Sequence, residues 1–472
     1  MHNQFKGGLQ TQNKEIVVEE LSVEGQIPPW LVGSLIRTTP AQFEVGGQSY
    51  RHWFDGLAML HSFAFQEGRV SYRNRFLESK TYCESNQSGK IAYAEFATDP
   101  CQTLFKRLKT AFRPEIGGND NVNVSRFGDD YVALTEVPLA MTFDSQTLDT
   151  LGVYDYEKTD AQISTAHPHF DSSSGLGITY AAKLGMSNEY RFYTMNGGKL
   201  DLLAAIPTKS VSYIHSFGIT EHYLLLAEYA LKLTSALSML VSGKPFIENF
   251  EWLPDEGARF IVVDKSTGAV VSESQTEAFF AFHHVNAFER DGEIFADFVA
   301  YADARLVEQY YLDKLRADDA HVSGGELRRY RIPLTGGRAT FELLSDTKIE
   351  FPRLNYERFN GQPYAYLYGA SLKSGTTDFY NELSKIEVDS GVVKTWQEAD
   401  CYPGEPVFIA APGAGAEDAG AILSVVFDSR RGTTFLVVLN AQSFTEIART
   451  RLPQHIPFGF HGQFFQSVPT KT

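Results

Sequence analysis

Cysteine is nearly missing from this chain. Cys83, Cys101 and Cys401 are the only three among 472 residues, and no C-x-x-C occurs. So few thiols argue against a disulfide framework and fit a reducing compartment. Basic residues are in deficit, 42 Lys and Arg against 58 Asp and Glu, for a formal net charge of −16. With that balance and no basic stripe, nucleic acid is not an expected partner. An anionic membrane would also repel the molecule as a whole, so any lipid contact has to come from a local patch. No apolar run reaches the ~18 residues of a membrane-spanning helix. Met1–Glu20 lacks the apolar stretch of a secretory signal. These absences lead to the expectation of a cytoplasmic protein, soluble or peripherally attached to a membrane. No glycine-rich dinucleotide fingerprint is found either, so a nicotinamide reductant is not expected.

What the chain does contain is short strands and tight turns along nearly its whole length. Arg259–Asp264 and Ala269–Ser272 flank Lys-Ser-Thr-Gly. Lys385–Val388 and Val392–Thr395 flank Asp-Ser-Gly. Ser62–Phe65 with its Gln-Glu-Gly turn, Tyr131–Phe143 and Ile422–Asn440 read the same way. Runs of four to eight Val-, Phe-, Tyr- and Leu-rich residues bounded by Gly or Asp turns are strand signals. The expected class is all-β, and a single β-propeller accommodates so many hairpins best; a pair of β-sandwiches is the alternative. No linker divides the chain, so residues 1–472 are expected to form one domain. The most loop-like piece, Ala410–Gly420, is short.

Two segments depart from that pattern. Cys101–Phe112 carries Leu104, Phe105, Leu108 and Phe112 at helical spacing, with Lys106, Arg107 and Lys109 elsewhere on the turn. Tyr229–Val241 carries Leu233, Leu237, Leu240 and Val241 on one helical stripe. Such stripes face a core or lie in a lipid interface, and a basic amphipathic helix suits the second.

Four of the twelve histidines stand in apolar or aromatic surroundings: His167 in STAHPHFD, His215 in SYIHSFGIT, His283 in FFAFHHVNAFE and His461 in PFGFHGQFF. An unpaired imidazole is costly in such a setting. One metal ion reached from four separate strands would satisfy all of them. Two doublets leave the choice of residue open. His167 and His169 would share a face of one strand, and His283 and His284 would take opposite faces.

These four motifs resemble the single-histidine motifs of the carotenoid cleavage oxygenases. Glu24–Arg37 (EGQIPPWLVGSLIR), Arg51–Phe63 (RHWFDGLAMLHSF) and Asp99–Arg107 (DPCQTLFKR) are similar to further family segments, the last two to its animal branch of β-carotene oxygenases and the retinoid isomerase. The resemblance implies a seven-bladed β-propeller with a cap of helices and loops over an axial iron(II). It assigns the ligands to His167, His215, His283 and His461. It also implies three outer glutamates, Glu136, Glu350 and Glu405, orienting His215, His283 and His461 in that order and leaving His167 without one. Thr135 and Val122 match positions lining the family's iron site.

The implied reaction is cleavage of a carotenoid or apocarotenoid double bond by O2 into aldehydes, with central cleavage to retinal as the first expectation. Within the family the rivals are a retinoid isomerase without redox chemistry and a stilbene-cleaving dioxygenase. A non-catalytic binding propeller is the rival from outside it. The aromatic share of 13%, with 35 Phe and 23 Tyr, suits a passage for a long polyene, although most of those rings must build the core.

Overall fold

Hairpins with tight glycine turns generate the architecture. Leu57–Gln66 and Arg69–Phe76 are joined by Glu67 and Gly68, with φ of 52° and 77°. Two successive positive φ values are what a two-residue hairpin loop needs to match the twist of its strands. The other hairpins read from the sequence form likewise: Ala258–Asp264 with Val270–Thr276, Glu382–Glu387 with Val393–Trp396, and Gly420–Asp428 with Thr433–Asn440. The computed structural model describes residues 4–99, 117–155, 157, 159–235, 244–375 and 379–466.

The chain is mostly β, 49% strand against 9% helix. Among the described residues, six sheets of four to seven strands are accompanied by two two-stranded ribbons. Their pairings are antiparallel, except the short parallel contact of Ser274 and Gln275 with Gly337 and Arg338. Strand pairing alone does not count out seven blades, because the seven-stranded sheet runs unbroken through the long strand Thr340–Arg353. Both ends of the chain are knitted into the sheets. Gly33–Gln42 pairs with Gly462–Gln466, and Val23–Gly25 pairs with Thr445–Arg451. Joining first strands to last closes the array and leaves short, protected edges.

The leucine stripe proposed for Tyr229–Val241 requires a correction. Leu231–Leu233 is a strand paired with Phe250–Trp252, and Leu233 is buried. Tyr229 and Leu231 are buried as well, while Lys232 turns to Glu228 and Glu256. The segment thus alternates with period two at this point, and a helical reading of Leu233 fails. Leu237 and Leu240, and Leu104, Phe105, Leu108 and Phe112, lie outside the described residues. Among the described residues no helix is long and apolar enough to cross a membrane.

Candidate metal centre

The four motif histidines stand at the leading ends of edge strands in four different sheets. His461 immediately precedes Gly462–Gln466 and His283 immediately precedes His284–Arg290. His215 lies just before Gly218–Ile219, and His167 fills the gap between Ile163–Ser164 and His169–Asp171. One candidate nitrogen from each ring lies within 4.8 Å of all the others. His167 Nε2 faces His215 Nε2 at 2.8 Å, and His283 Nε2 faces His461 Nε2 at 3.0 Å.

Three of the rings are held from behind by carboxylates. His215 Nδ1–H donates to Glu136 Oε1 at 2.6 Å, and His461 Nδ1–H donates to Glu405 Oε1 at 2.8 Å. His283 Nδ1–H donates to Glu350 Oε1. Among the described residues His167 has no carboxylate partner. The glutamates are anchored in turn, by groups that sequence reasoning did not single out. The Tyr213 hydroxyl donates to Glu136 at 2.9 Å and the Tyr301 hydroxyl to Glu350. Arg353 Nε–H donates to Glu405 at 2.8 Å, and the Gly462 N–H reaches its other oxygen at 2.9 Å.

Glu350 and Arg353 are three apart on one strand, where a regular pleat would send them to opposite faces. The register slips between them, and Phe351 takes a φ of 54°. A bulky residue in the left-handed region is a genuine outlier of the kind that clusters at functional sites. Here the bulge brings both side chains to the centre, and the Phe351 ring packs 5.8 Å from the rings of His283 and of His461.

The donor chemistry fits a divalent cation. A neutral imidazole has one N–H and one lone pair. His283 and His461 both commit their N–H to a glutamate, so two lone pairs face each other across 3.0 Å. Protonation cannot relieve this for His461, because burial pushes its pKa well below the usual histidine value, and the neighbouring His283 and Arg353 add to the effect. His167 is driven down in the same way, by burial first and then by the other three rings. A cation between the lone pairs satisfies all four. Two nitrogens at right angles on bonds of ~2.1 Å are ~3.0 Å apart, which matches the facing pairs. The outer shell leaves room for positive charge too, with three glutamates against the two guanidiniums of Arg353 and Arg37. Four imidazoles suit iron, copper, nickel or zinc.

Within the doublets, His169 is engaged by hydrogen bonds and His284 by packing. His169 Nδ1 pairs with the Tyr356 hydroxyl at 2.8 Å and its Nε2–H donates to the Phe217 carbonyl at 2.9 Å, so neither nitrogen is free for the centre. His284 lies edge-on to Phe298, with its ring against the backbone of Gly218. Val122 touches the site through its main chain, where its carbonyl accepts from His461 N–H at 3.2 Å. Its side chain packs with Val132, Leu134 and Ala166, and Thr135 is half-buried beside Glu136.

Glu398, Cys401 and Asp428 also bring their ligand atoms within 4.8 Å. Arginines already occupy those carboxylates: Arg430 and Arg449 on Glu398 at 2.7 and 2.8 Å, and Arg451 on Asp428 at 3.5 Å. Burial also pushes the Cys401 thiol up to about 12. That group is a structural ion network, not a cation site.

Comparison with known proteins finds relatives over nearly the whole chain. The family model described as retinal pigment epithelial membrane protein matches residues 9–466. The mitochondrial carotenoid-cleaving dioxygenase of Mustela putorius furo is 33% identical, covering 97% of this chain and 95% of its own. The beta,beta-carotene 15,15'-dioxygenase of Gallus gallus is 32% identical, covering 96% and 97%. The crystal structure of cobalt-substituted Synechocystis apocarotenoid oxygenase superposes with a TM-score of 0.88 at 28% identity, over 98% of each chain.

Proposed function

The chain belongs to the carotenoid cleavage oxygenase family, that of the retinal pigment epithelial membrane protein, and from this premise we propose that it holds iron(II) on His167, His215, His283 and His461 and splits a carotenoid or apocarotenoid C=C bond. It is an enzyme of the carotenoid cleavage dioxygenase type. The observation that carries the assignment of the site is the convergence of four imidazoles, three of them backed by glutamates.

Iron(II) held by His167, His215, His283 and His461 would supply the redox-active centre that the reaction with dioxygen needs. Addition of both atoms of one O2 across a cleaved C=C gives two carbonyls, so the electrons balance and no external reductant is needed. The protein's share is positioning. Glu136, Glu350 and Glu405 fix the tautomer of three rings, so that each Nε2 lone pair points inward. On one side of the centre Phe282 lies 5.6 Å from the His215 ring and 5.7 Å from Phe54. Phe54 in turn packs on Phe96 at 5.1 Å, and Phe96 on Phe246 at 6.0 Å. Phe54, Phe96 and Phe246 are only half-buried, so this aromatic file offers apolar surface to a polyene rather than spending all of it on the core. It also keeps bulk water from the reacting carbons.

Peripheral membrane contact is the second part of the reading. Its support is the insolubility of the substrate class and the apolar and basic residues of 101–112. The test of the whole is anaerobic purification with metal analysis, then chromatography of products from β-carotene, an apocarotenal and resveratrol side by side. Iron near one per chain with aldehydes from a carotenoid substrate is the expected result; a metal-free, fully active protein overturns it.

A further inference from the structure

Among the described residues His167 is the one ring of the four without a carboxylate behind it, and it is also the most exposed of the four. Its main chain is held instead. The His167 N–H donates to Thr165 Oγ1 at 2.9 Å, and the same hydroxyl donates its own hydrogen to the His215 carbonyl at 2.6 Å. One hydroxyl therefore ties the backbone of one imidazole to the backbone of the imidazole that faces it. The residue between is fixed as well: Asn123 Nδ2–H donates to the Ala166 carbonyl at 2.9 Å. Asn123 is itself locked, since its Oδ1 accepts from Val124 N–H at 2.9 Å. Thr165 and Asn123 are both buried. His167 sits in a gap between two short strands, followed by Pro168, which has no N–H to give. The ladder cannot define its position, so side chains must.

We infer that Thr165, supported by Asn123, is the positioning residue of His167, fixing through the main chain what Glu136, Glu350 and Glu405 fix through the ring nitrogens of the other three. This rests on the four histidines being the ligands of the metal. A hydroxyl that bridges two ligand backbones sets their separation, and a ligand set held to within about 0.5 Å is what a metal site requires.

The test is metal affinity and spectrum rather than turnover. Apoprotein is titrated with Co2+ and followed by its visible ligand-field bands, in wild type, Thr165→Val, Thr165→Ser and Thr450→Val. Thr450 is a matched control, because its buried hydroxyl donates to the Ser22 carbonyl at 3.0 Å far along the chain. Thr165→Val keeps the volume and removes both hydrogen bonds. It is expected to weaken Co2+ binding about 10-fold or more, the lower range for a lost partner of a metal ligand, and to shift the bands. Thr165→Ser should restore both readings, and Thr450→Val should lower stability without changing either. Wild-type affinity and spectrum in Thr165→Val overturn the inference, and so does a Thr165→Ser variant as impaired as Thr165→Val. Should Thr165→Val not fold, Asn123→Ser, which withdraws the hydrogen bond to Ala166, is read by the same titration. No Co2+ bound by wild type would defeat the metal reading itself, a distinct result.

Discussion

Arg353 and His461 converge on the same oxygen of Glu405, each at 2.8 Å. Glu350 and Glu136 lean on phenols instead, which donate a hydrogen but carry no charge. Glu405 is thus the one outer carboxylate whose charge is matched by a guanidinium before any metal arrives. Glu405→Gln removes the negative charge and turns an amide NH2 either toward the Gly462 N–H or toward both Arg353 and His461. A loss of ~10–100-fold in metal affinity is expected, the usual cost of such a partner. Tyr213→Phe, which leaves Glu136 bound to His215, should cost less. Isothermal titration of the apoprotein with Co2+ or Fe2+ under argon ranks them, and equal affinities for both variants and wild type would defeat the scheme.

The ligand assignment separates neighbours one or two residues apart. His215→Ala and His461→Ala should leave protein without iron and without activity. His169→Ala should keep its iron, because both its ring nitrogens face Tyr356 and Phe217. His284→Ala should keep it as well, because that ring lies against Gly218 and Phe298 and not among the four that converge. Metal analysis of the four purified variants decides the matter, and full iron retention in His215→Ala contradicts it.

Much of this was legible in the sequence, and the physics says which part. Strand and turn signals are local, so the hairpins around Gly68 and Gly268 appear where the residues put them. The four histidines stood out because an imidazole in an apolar run demands a partner. Tyr213 and Arg353 did not, since what they touch is decided by partners far along the chain. Arg353 in addition reaches Glu405 only because the strand bulges at Phe351. Leu233 was misplaced for a related reason. Leucines at 233, 237 and 240 fit a helical period, while the strand that sets Leu233 is three residues long and too short to show its own.

Asp120 offers a pH-dependent prediction. It is fully buried, and among the described residues neither carboxylate oxygen has a hydrogen-bond partner. Burial raises its pKa well above the usual carboxylate value. In the unfolded chain the group ionises near ~3.9. Above that pH the unfolded state has lost a proton that the native state keeps, so stability falls as pH rises, by up to ~1.4 kcal/mol per unit, until the folded pKa is reached. Asp120→Asn removes this slope. Denaturant melts between pH 4 and 8 should show the variant gaining on wild type as pH increases. Curves that stay parallel would mean that Asp120 is ionised in the fold.

The chemistry itself is tested with labelled oxygen. A dioxygenase places one atom of 18O2 in each of the two carbonyl products, once exchange of the aldehydes with water is corrected. Label in one product only indicates that water supplies the other oxygen. A retinoid product formed equally well under argon points instead to isomerisation without redox chemistry. Mass spectrometry of both fragments, trapped as oximes within the first turnovers, separates the three outcomes.

The proposed membrane attachment loses Leu233, which is buried, and keeps residues 101–112 with Leu237 and Leu240. Lys106, Arg107 and Lys109 would each contribute about 1 kcal/mol near an anionic surface. Leu104, Phe105, Leu108 and Phe112 add ~1.5–3 kcal/mol apiece at full burial, and less at the partial depth of an interface. Repulsion from a net charge of −16 is spread over the whole surface, and salt screens it beyond ~8 Å at physiological ionic strength. On the proposed reading, attraction at that local patch outweighs it. Phe105→Glu with Leu108→Glu should release an iron-loaded, folded protein from liposomes containing phosphatidylserine in a flotation assay, while Leu233→Ala, a core change, should lower stability without altering flotation. If the double variant floats as wild type does, the contact lies elsewhere; if it unfolds, those two side chains belong to the core.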